Sequence, residues 1–154
     1  MAETTNLGIA LIDASDYVSP DPINEGFELL DALGLDYIVE QSSNSGGWWY
    51  RKWKSGRAEC GIDAKNFGSV AHTTTWNTMY RSPQLSWGSY PFAFKSRPMV
   101  VMSFLYSADG GHESYVTYTG TTSTTVAPKF RLIDPNSGTA TDATFGIYVY
   151  GFWK

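Results

Sequence analysis

The sequence predicts a mainly β protein, an antiparallel β-sandwich with one short N-terminal helix, from three observations. Aromatic residues make up 16% of the 154 residues, and β-strands are enriched in them. Ser, Thr and Gly are abundant, which is typical of a fold with many turns. From residue 48 onward, short runs of strand-forming residues alternate with turn signals, as in sandwiches and barrels.

Charge divides the chain into two segments. Residues 1–40 hold nine carboxylates and no Lys or Arg, while residues 41–154 hold six carboxylates and all eleven basic residues. The segments therefore carry −9 and +5 within a net charge of −4. A stretch of Ser, Asn and Gly at 41–47 is typical of a loop. We predict an acidic arm over residues 1–46 and a β-sandwich domain over residues 47–154.

One helix is expected in the acidic arm, over about residues 21–33. Asp21 can cap its N-terminus, Pro22 suits the first helical position, and Gly34 is a natural stop. Apolar residues at helical spacing form one face: Ile23, Phe27, Leu30 and Leu33. A helix with a single apolar stripe needs a partner to cover that stripe.

The β segment begins with a hairpin, strands 48–54 and 57–62, around the two-residue turn signal Ser55-Gly56. This turn would place Lys52 opposite Glu59 as an opposite-charge pair. Strand alternation then assigns one face to the core, comprising Trp49, Arg51, Trp53, Ala58, Cys60 and Ile62. Cys60 is therefore expected to be a small buried hydrophobe rather than a nucleophile.

Six further strands are expected, at residues 68–76, 90–94, 99–106, 113–118, 129–133 and 144–153. The strands at 99–106 and 144–153 have no polar face. Because a two-layer sandwich buries only one face of each sheet, their second apolar face needs a partner. The partner is another subunit, the N-terminal helix or a ligand, and since soluble monomers rarely expose large apolar patches, we expect self-association.

Motifs for catalysis and cofactor binding are missing from the sequence. His72 and His112 do not lie beside a nucleophile motif such as G-x-S-x-G, and we expect them to be surface or satisfied histidines. Two His and one Cys leave too few ligands for a nitrogen–sulfur metal site, and no phosphate-binding loop occurs. We predict no enzyme activity, no metal and no cofactor, although a carboxylate pair for glycoside cleavage stays open.

Neither a membrane nor a nucleic acid is an expected partner. The most apolar run, residues 98–102, is far too short to span a bilayer. Residues 1–6 contain no basic residue, so we expect no signal peptide and synthesis in a cytoplasm. The basic and aromatic run 48–54 divides its rings between two strand faces, and the sequence pI of about 5.0 does not fit a nucleic-acid footprint.

Three stretches of the sequence resemble a known family. They are residues 12–24, residues 33–41 (Leu-Gly and then Asp-Tyr-Ile-Val-Glu-Gln), and Trp-Tyr-Arg-Lys-Trp-Lys-Ser-Gly-Arg-Ala-Glu-Cys at 49–60. They resemble the distal domain of tail-fibre or minor structural proteins from phages and prophages of Gram-positive gut bacteria. In those proteins an aromatic residue often follows the Cys, where this chain has Gly61.

The resemblance implies a homotrimeric β-sandwich in a virion, at the end of a tail appendage and in contact with other tail proteins. The C-terminal Ile-Tyr-Val-Tyr-Gly-Phe-Trp also resembles small trimeric lectins of the H-type, from which no binding residue is carried over. Three functions stay open: recognition of a bacterial surface glycan, a purely structural trimerisation or tip domain, and a polysaccharide-degrading tail enzyme. We expect the first.

A glycan site needs exposed aromatic rings for the apolar faces of sugars and short polar groups for their hydroxyls. Trp76 and Trp87 lie beside such groups in loop-like sequence, where binding residues concentrate. The candidate ligand-binding residues are Trp76, Asn77, Trp87, Tyr90, His112 and Glu113. The alternative is that both tryptophans cap the core or fill a subunit interface, because Trp is usually largely buried.

Overall fold

The structure, a computed structural model, describes residues 25, 28, 29, 32–108, 114–120 and 123–154. The chain forms two compact units, Met1–Ile38 and Val39–Lys154, whereas the sequence suggested a division after residue 46. In the first unit Glu25, Glu28, Leu29 and Ala32 are helical. The Leu33 amide donates to the Leu29 carbonyl over 3.1 Å, as in an α-helix. The other residues of the predicted helix lie outside the described residues.

The second unit is mainly β, as predicted, and its paired strands run antiparallel. The strands of the described residues are β1 (Ile38–Ser45), β2 (Trp48–Trp53), β3 (Arg57–Asn66), β4 (Val70–His72), β5 (Thr74–Trp76), β6 (Met79–Arg81), β7 (Met99–Tyr106), β8 (Tyr115–Tyr118), β9 (Phe130–Asp134), β10 (Gly138–Ala140) and β11 (Thr144–Phe152). The larger sheet has five strands in the order β1-β2-β3-β11-β7. The smaller sheet has four in the order β5-β6-β9-β8, and β10 pairs with β4 separately.

The core lies between the larger and the smaller sheet. From the larger sheet it takes Cys60, Phe145 and Val149, and from the smaller sheet Phe130 and Leu132, all with 0% of their surface exposed. The rings of Phe130 and Phe145 meet with centroids 5.0 Å apart. This face-to-face packing of two antiparallel sheets confirms the predicted sandwich.

Most of the predicted strands are confirmed, and one is wrong. β7 and β11 match the predicted strands 99–106 and 144–153 almost residue for residue. The segment 90–94 is a loop rather than a strand. Its Tyr90 and Phe94 amides donate to the carbonyls of Thr125 and Thr124, while their rings meet edge to face at 5.2 Å. Burial of these rings, rather than strand pairing, explains the aromatic pattern.

The β2–β3 hairpin differs from the prediction by one step of register. Arg51 pairs with Glu59, so the predicted pair of Lys52 and Glu59 is wrong. The reason is a three-residue connection that ends in Gly56 at φ 92°, a common alternative to the two-residue turn. A one-residue shift exchanges the two faces of a strand. Trp49 therefore lies outside the core, whereas Cys60 is buried as predicted.

Lys52 lies on the inner side of β2, at the margin of the core, inside a ring of aromatic side chains. Its Nζ is 4.9 Å from the Phe92 ring centroid, 5.4 Å from that of Trp153 and 5.5 Å from that of Tyr50. The same ammonium lies 2.8 Å from Glu40 Oε2, and this hydrogen bond holds the pKa of Glu40 below its ordinary value. Lys52 thus joins β1, β2, the loop after Tyr90 and the C-terminus by cation–π contacts and one ion pair.

Candidate functional site

The face of the larger sheet that points away from the core combines aromatic and charged side chains. We call it the outer face, and we define it by Trp49, Arg51, Arg57, Glu59, Asp63, Met99, Val101, Ser103, Tyr148 and Tyr150. Strand alternation places these residues opposite the buried positions of the same strands. Tyr148, Met99 and Val101 are exposed, whereas the alternate β11 residues are buried. The outer face is thus free of contact with the core.

Gly61 allows the two central rings of the outer face to approach each other. Trp49 and Tyr148 both pair with Gly61, from β2 and β11 respectively. A Cβ atom on Gly61 would lie 2.7 Å from Trp49 Cζ2 and 2.7 Å from the Ile147 carbonyl oxygen. Without it, the Trp49 ring lies over the strand, and its centroid is 6.0 Å from that of Tyr148 at an interplanar angle of 41°. A glycine at this position is therefore a structural requirement.

Polar partners hold each of these rings in place. Trp49 Nε1 donates to Asp63 Oδ1 over 2.7 Å, and the Tyr148 hydroxyl donates to Glu59 Oε2 over 2.5 Å. Burial, with the Glu59 hydrogen bond as the second cause, raises the pKa of Tyr148 to about 12. The phenol thus stays protonated near neutral pH. Rings that are oriented in advance lose little conformational freedom when a ligand binds.

Arg51, which is exposed, and Glu59, which is largely buried, form an ion pair beside these rings. Arg51 NH1 lies 3.4 Å from Glu59 Oε1, and the guanidinium carbon lies 5.9 Å from the Trp49 ring centroid. Glu59 therefore connects Arg51 to Tyr148. Because the Arg51 end of this pair is exposed, a substitution of Arg51 should cost little stability.

Two depressions share Trp49 in their lining. The first, which we call the Asp63 depression, has a volume of about 190 Å³ and is lined by Trp49, Ile62, Asp63, Val101, Ser103, Gly146, Ile147 and Tyr148. The second, the Arg51 depression, is lined by Gln41, Ser42, Ser43, Trp49, Tyr50 and Arg51. Each combines an aromatic ring with short polar side chains, which is the composition of a site for a polar ligand with apolar faces.

Two of the residues that the sequence selected as a ligand site lie in the core. Trp87 and Tyr90 are core residues with 4% and 6% of their surface exposed, so neither ring can receive a ligand at the surface. Trp87 stacks on Phe130 with centroids 5.2 Å apart. Trp76, 46% exposed, ends β5, and Asn77 follows it in a turn at φ 55°. His112 and Glu113 lie outside the described residues.

Sequence analysis missed the outer face because of the register of the β2–β3 hairpin. With the predicted two-residue turn, Trp49 belongs to the core face and cannot be a ligand contact. The available signal was Gly61, a glycine within a strand that is otherwise rich in side chains, which indicates close approach of another group. That group is the Trp49 ring.

His72 belongs to a buried polar cluster rather than to a surface site. The side chains of His72 and Asp134 are almost fully buried, and His72 Nε2 lies 4.0 Å from Asp134 Oδ2. Asp134 also accepts hydrogen bonds from the Ser114 hydroxyl over 2.5 Å and from the Asn136 amide over 2.8 Å. The cluster ties β4 to the smaller sheet. His72 is therefore a buried histidine and not a surface one.

The described residues bring no three His, Cys, Asp or Glu side chains together in a way that could hold a metal ion. Within the same part of the chain, no helix has the length and apolar character that a bilayer crossing requires. Comparison with models of protein families, with curated proteins and with solved structures finds no match. The resemblance to phage tail-fibre proteins therefore stays a prediction, and the function has to be inferred from the chemistry of the outer face.

Proposed function

We propose that the β unit is a carbohydrate-binding domain and that the outer face is its site. The observation that supports this proposal most strongly is the pair of adjacent rings, Trp49 and Tyr148, each hydrogen-bonded to a carboxylate. Rings of this kind contact the apolar C–H faces of sugars, and the carboxylate and hydroxyl groups around them accept and donate hydrogen bonds to sugar hydroxyls. A shallow, mixed surface suits one face of a glycan chain.

The hydrogen bonds of the carboxylates favour binding over glycoside cleavage. Glu59 and Asp63 both accept hydrogen bonds from aromatic donors, so each carboxylate positions a ring instead of standing free as an acid or base. We therefore propose recognition without turnover, and release of reducing sugars from a bound glycan would contradict this.

The sequence resemblance supplies the biological context of the proposal. The run at residues 49–60, which resembles tail-fibre proteins, forms most of the β2–β3 hairpin. This hairpin carries Trp49, Arg51 and Glu59 of the outer face. We propose that the chain is a distal domain of a phage or prophage tail appendage and that it presents the outer face to a bacterial surface glycan.

A binding assay on two tryptophan variants tests the location of the site. The full chain is screened on an array of bacterial surface glycans, and Trp49→Ala and Trp76→Ala are then measured on the glycans that bind. Loss of one stacked ring costs about 1 kcal/mol or more, so we expect Trp49→Ala to weaken binding at least fivefold. Trp76→Ala, which removes the exposed tryptophan of the smaller sheet, should bind like the parent chain.

Two results would overturn this proposal. Either no glycan binds the parent chain above background, or Trp76→Ala loses binding while Trp49→Ala keeps it, which would move the site to the β5–β6 turn. Thermal melts of both variants check that the fold is retained, since neither side chain is fully buried.

We also propose that the chain forms a homotrimer, which bears on the alternative of a purely structural trimerisation domain. The supporting observation is β7, an edge strand of the larger sheet on which Leu105 and Tyr106, outside both depressions, are more than half exposed. Edge strands with apolar side chains favour pairing with another chain. The Tyr118 hydroxyl occupies one of its backbone acceptors, the Val100 carbonyl. The trimer order comes from the resemblance.

Light scattering with a matched pair of variants tests the homotrimer. Leu105→Lys, in β7 and outside both depressions, is expected to dissociate the assembly while glycan binding per chain is retained. Phe152→Lys, an equally drastic change at an exposed residue of β11, is the control and should leave the assembly intact. A parent chain that is monomeric at micromolar concentration would contradict the proposal.

A further inference from the structure

The two depressions of the outer face carry opposite charge. Among the described residues that line them, Arg51 is the charged side chain of one depression and Asp63 is that of the other. The ring of Trp49 lines both. A ligand that fills both depressions must therefore cross this ring, and its two ends meet different electrostatic environments.

The Arg51 depression has the donors that an anion requires. Arg51 is exposed, and its ion pair with Glu59 is 3.4 Å long, beyond the 2.7–2.9 Å that is typical of a strong charge-assisted hydrogen bond. A guanidinium has five N–H donors in a planar fork, and those not directed at Glu59 have no partner among the described residues. Gln41, Ser42 and Ser43 add further donors. A carboxylate or phosphate matches this fork.

The Asp63 depression has the opposite preference. Asp63 Oδ1 accepts the hydrogen bond from Trp49, while Oδ2 has no hydrogen-bond partner within the described part of the chain. The free oxygen accepts hydroxyl hydrogens but repels an anionic group. At about 190 Å³, this depression is below the roughly 300–1,000 Å³ of ligand pockets, so it fits a single neutral unit.

We infer that the ligand is an acidic oligosaccharide that spans both depressions, with an anionic substituent at Arg51 and a neutral, hydroxyl-bearing sugar at Asp63, stacked across Trp49. This inference rests on the proposed function and narrows it to one class of glycan. The anionic substituent is a carboxylate or a phosphate, since the guanidinium fork binds both. A neutral chain would leave the guanidinium donors that are not directed at Glu59 without an anionic partner, and a chain with an acid group on every sugar would be repelled by Asp63.

Isothermal titration with three matched oligosaccharides tests this inference. The ligands are a neutral oligosaccharide, one with a uronic acid on alternate sugars, and one with a phosphate on alternate sugars. We expect at least one acidic ligand to bind the parent chain about tenfold more tightly than the neutral one, as one additional charge-assisted hydrogen bond provides. That advantage should shrink with added salt, because an exposed pair is screened.

Two variants in the outer face sharpen the test. Arg51→Gln should weaken binding of the acidic ligands much more than that of the neutral ligand, which removes the tenfold advantage. Asp63→Asn keeps an acceptor for Trp49 but removes the charge, so it should improve binding of oligosaccharides that carry an acid group on every sugar. Lys129→Gln is the control, because it removes one positive charge just before β9 of the smaller sheet. It should change neither the affinity for the neutral ligand nor the affinity for the acidic ligands.

The outcomes separate the inference from the proposed function. Equal affinity of the parent chain for neutral and acidic ligands, or an equal loss of both in Arg51→Gln, would overturn the inference while glycan binding stands. If Trp49→Ala retains the affinity for every ligand, the proposed function fails as well. Preference for the uronic acid or for the phosphate identifies the anionic group.

Discussion

The two faces of the larger sheet are built from alternate residues of the same strands, yet they serve different purposes. On the inner face Ala58, Cys60, Phe145 and Val149 have 0% of their surface exposed, and they hold the fold together by close packing. On the outer face the rings of Trp49 and Tyr148 are held by carboxylates instead. Stability and ligand chemistry are therefore separable along one strand, because strand side chains alternate.

The largest expected effect of a substitution on stability is at Phe145, on the inner face of β11. Phe145→Ala removes a ring that packs against Phe104, Phe130 and Phe67, and we expect it to lower the free energy of unfolding by about 3–5 kcal/mol. Urea denaturation measures this. Phe152→Ala, on the exposed side of the same strand, is the control and should cost less than about 1 kcal/mol. Similar losses in both variants would contradict the separation of the faces.

At Gly61 a single substitution should affect both the stability of the fold and the ligand surface of the outer face. A side chain there meets both the Trp49 ring and the Ile147 carbonyl at 2.7 Å, so Gly61→Val should destabilise the fold by about 1–3 kcal/mol and displace the Trp49 ring. The second effect is read from tryptophan fluorescence and from glycan affinity. Gly68→Ala, at a loop glycine with open space but φ 72°, should lower stability without affecting the glycan. If Gly61→Val left the glycan affinity unchanged, the position of the Trp49 ring would not depend on this glycine, and the prediction would be wrong.

Two adjacent residues of β2 provide a finer comparison. Arg51 lies on the outer face, whereas Lys52 lies on the inner side among several aromatic side chains. Lys52→Gln removes three cation–π contacts and the pair with Glu40, so we expect a loss of about 1–2 kcal/mol. Arg51→Gln should change stability by no more than about 0.5 kcal/mol. Thermal melts at equal ionic strength measure both. A larger loss in Arg51→Gln than in Lys52→Gln would reverse the assignment of the faces.

The smallest expected difference between the two faces is in how their residues make stability depend on alkaline pH. Burial, with a lesser contribution from the Glu59 charge, raises the pKa of Cys60 from 9.0 to about 12, while that of Tyr148 rises from 10.0 to about 12. Folding thus favours the protonated form of each group. The stability this provides is complete below the ordinary pKa and is lost as the pH rises toward the folded pKa, from about 9 for Cys60 and from about 10 for Tyr148.

Urea midpoints between pH 8 and pH 10 measure the contribution of the inner face. In this window the thiol of the unfolded chain titrates before the phenols do, so Cys60→Ala should flatten the decline in stability. Tyr148→Phe should leave the decline in place, because its effect begins at higher pH. An unchanged slope in Cys60→Ala would show that other groups determine the pH dependence.

The sequence by itself predicted the parts of the fold that depend on local pattern. The continuous apolar runs of β7 and β11 and their turn boundaries identified both strands, and alternation assigned Ala58, Cys60 and Ile62 to the core. These features follow from the two-residue period of a strand and from the conformations that Gly and Pro allow in turns. The sandwich class followed from the number of such runs.

Only the tertiary structure decided which aromatic residues became the site. Trp87 is buried because Phe67 and Phe130 enclose it, although its sequence neighbours are typical of a loop. Trp49 is on the outer face because the hairpin connection has three residues rather than two, a choice that moves every side chain of β2 to the other face. Local sequence permits both registers. The packing of Trp48 and Tyr50 against distant rings selects between them, since burial of those rings is gained only after the sheets have come together.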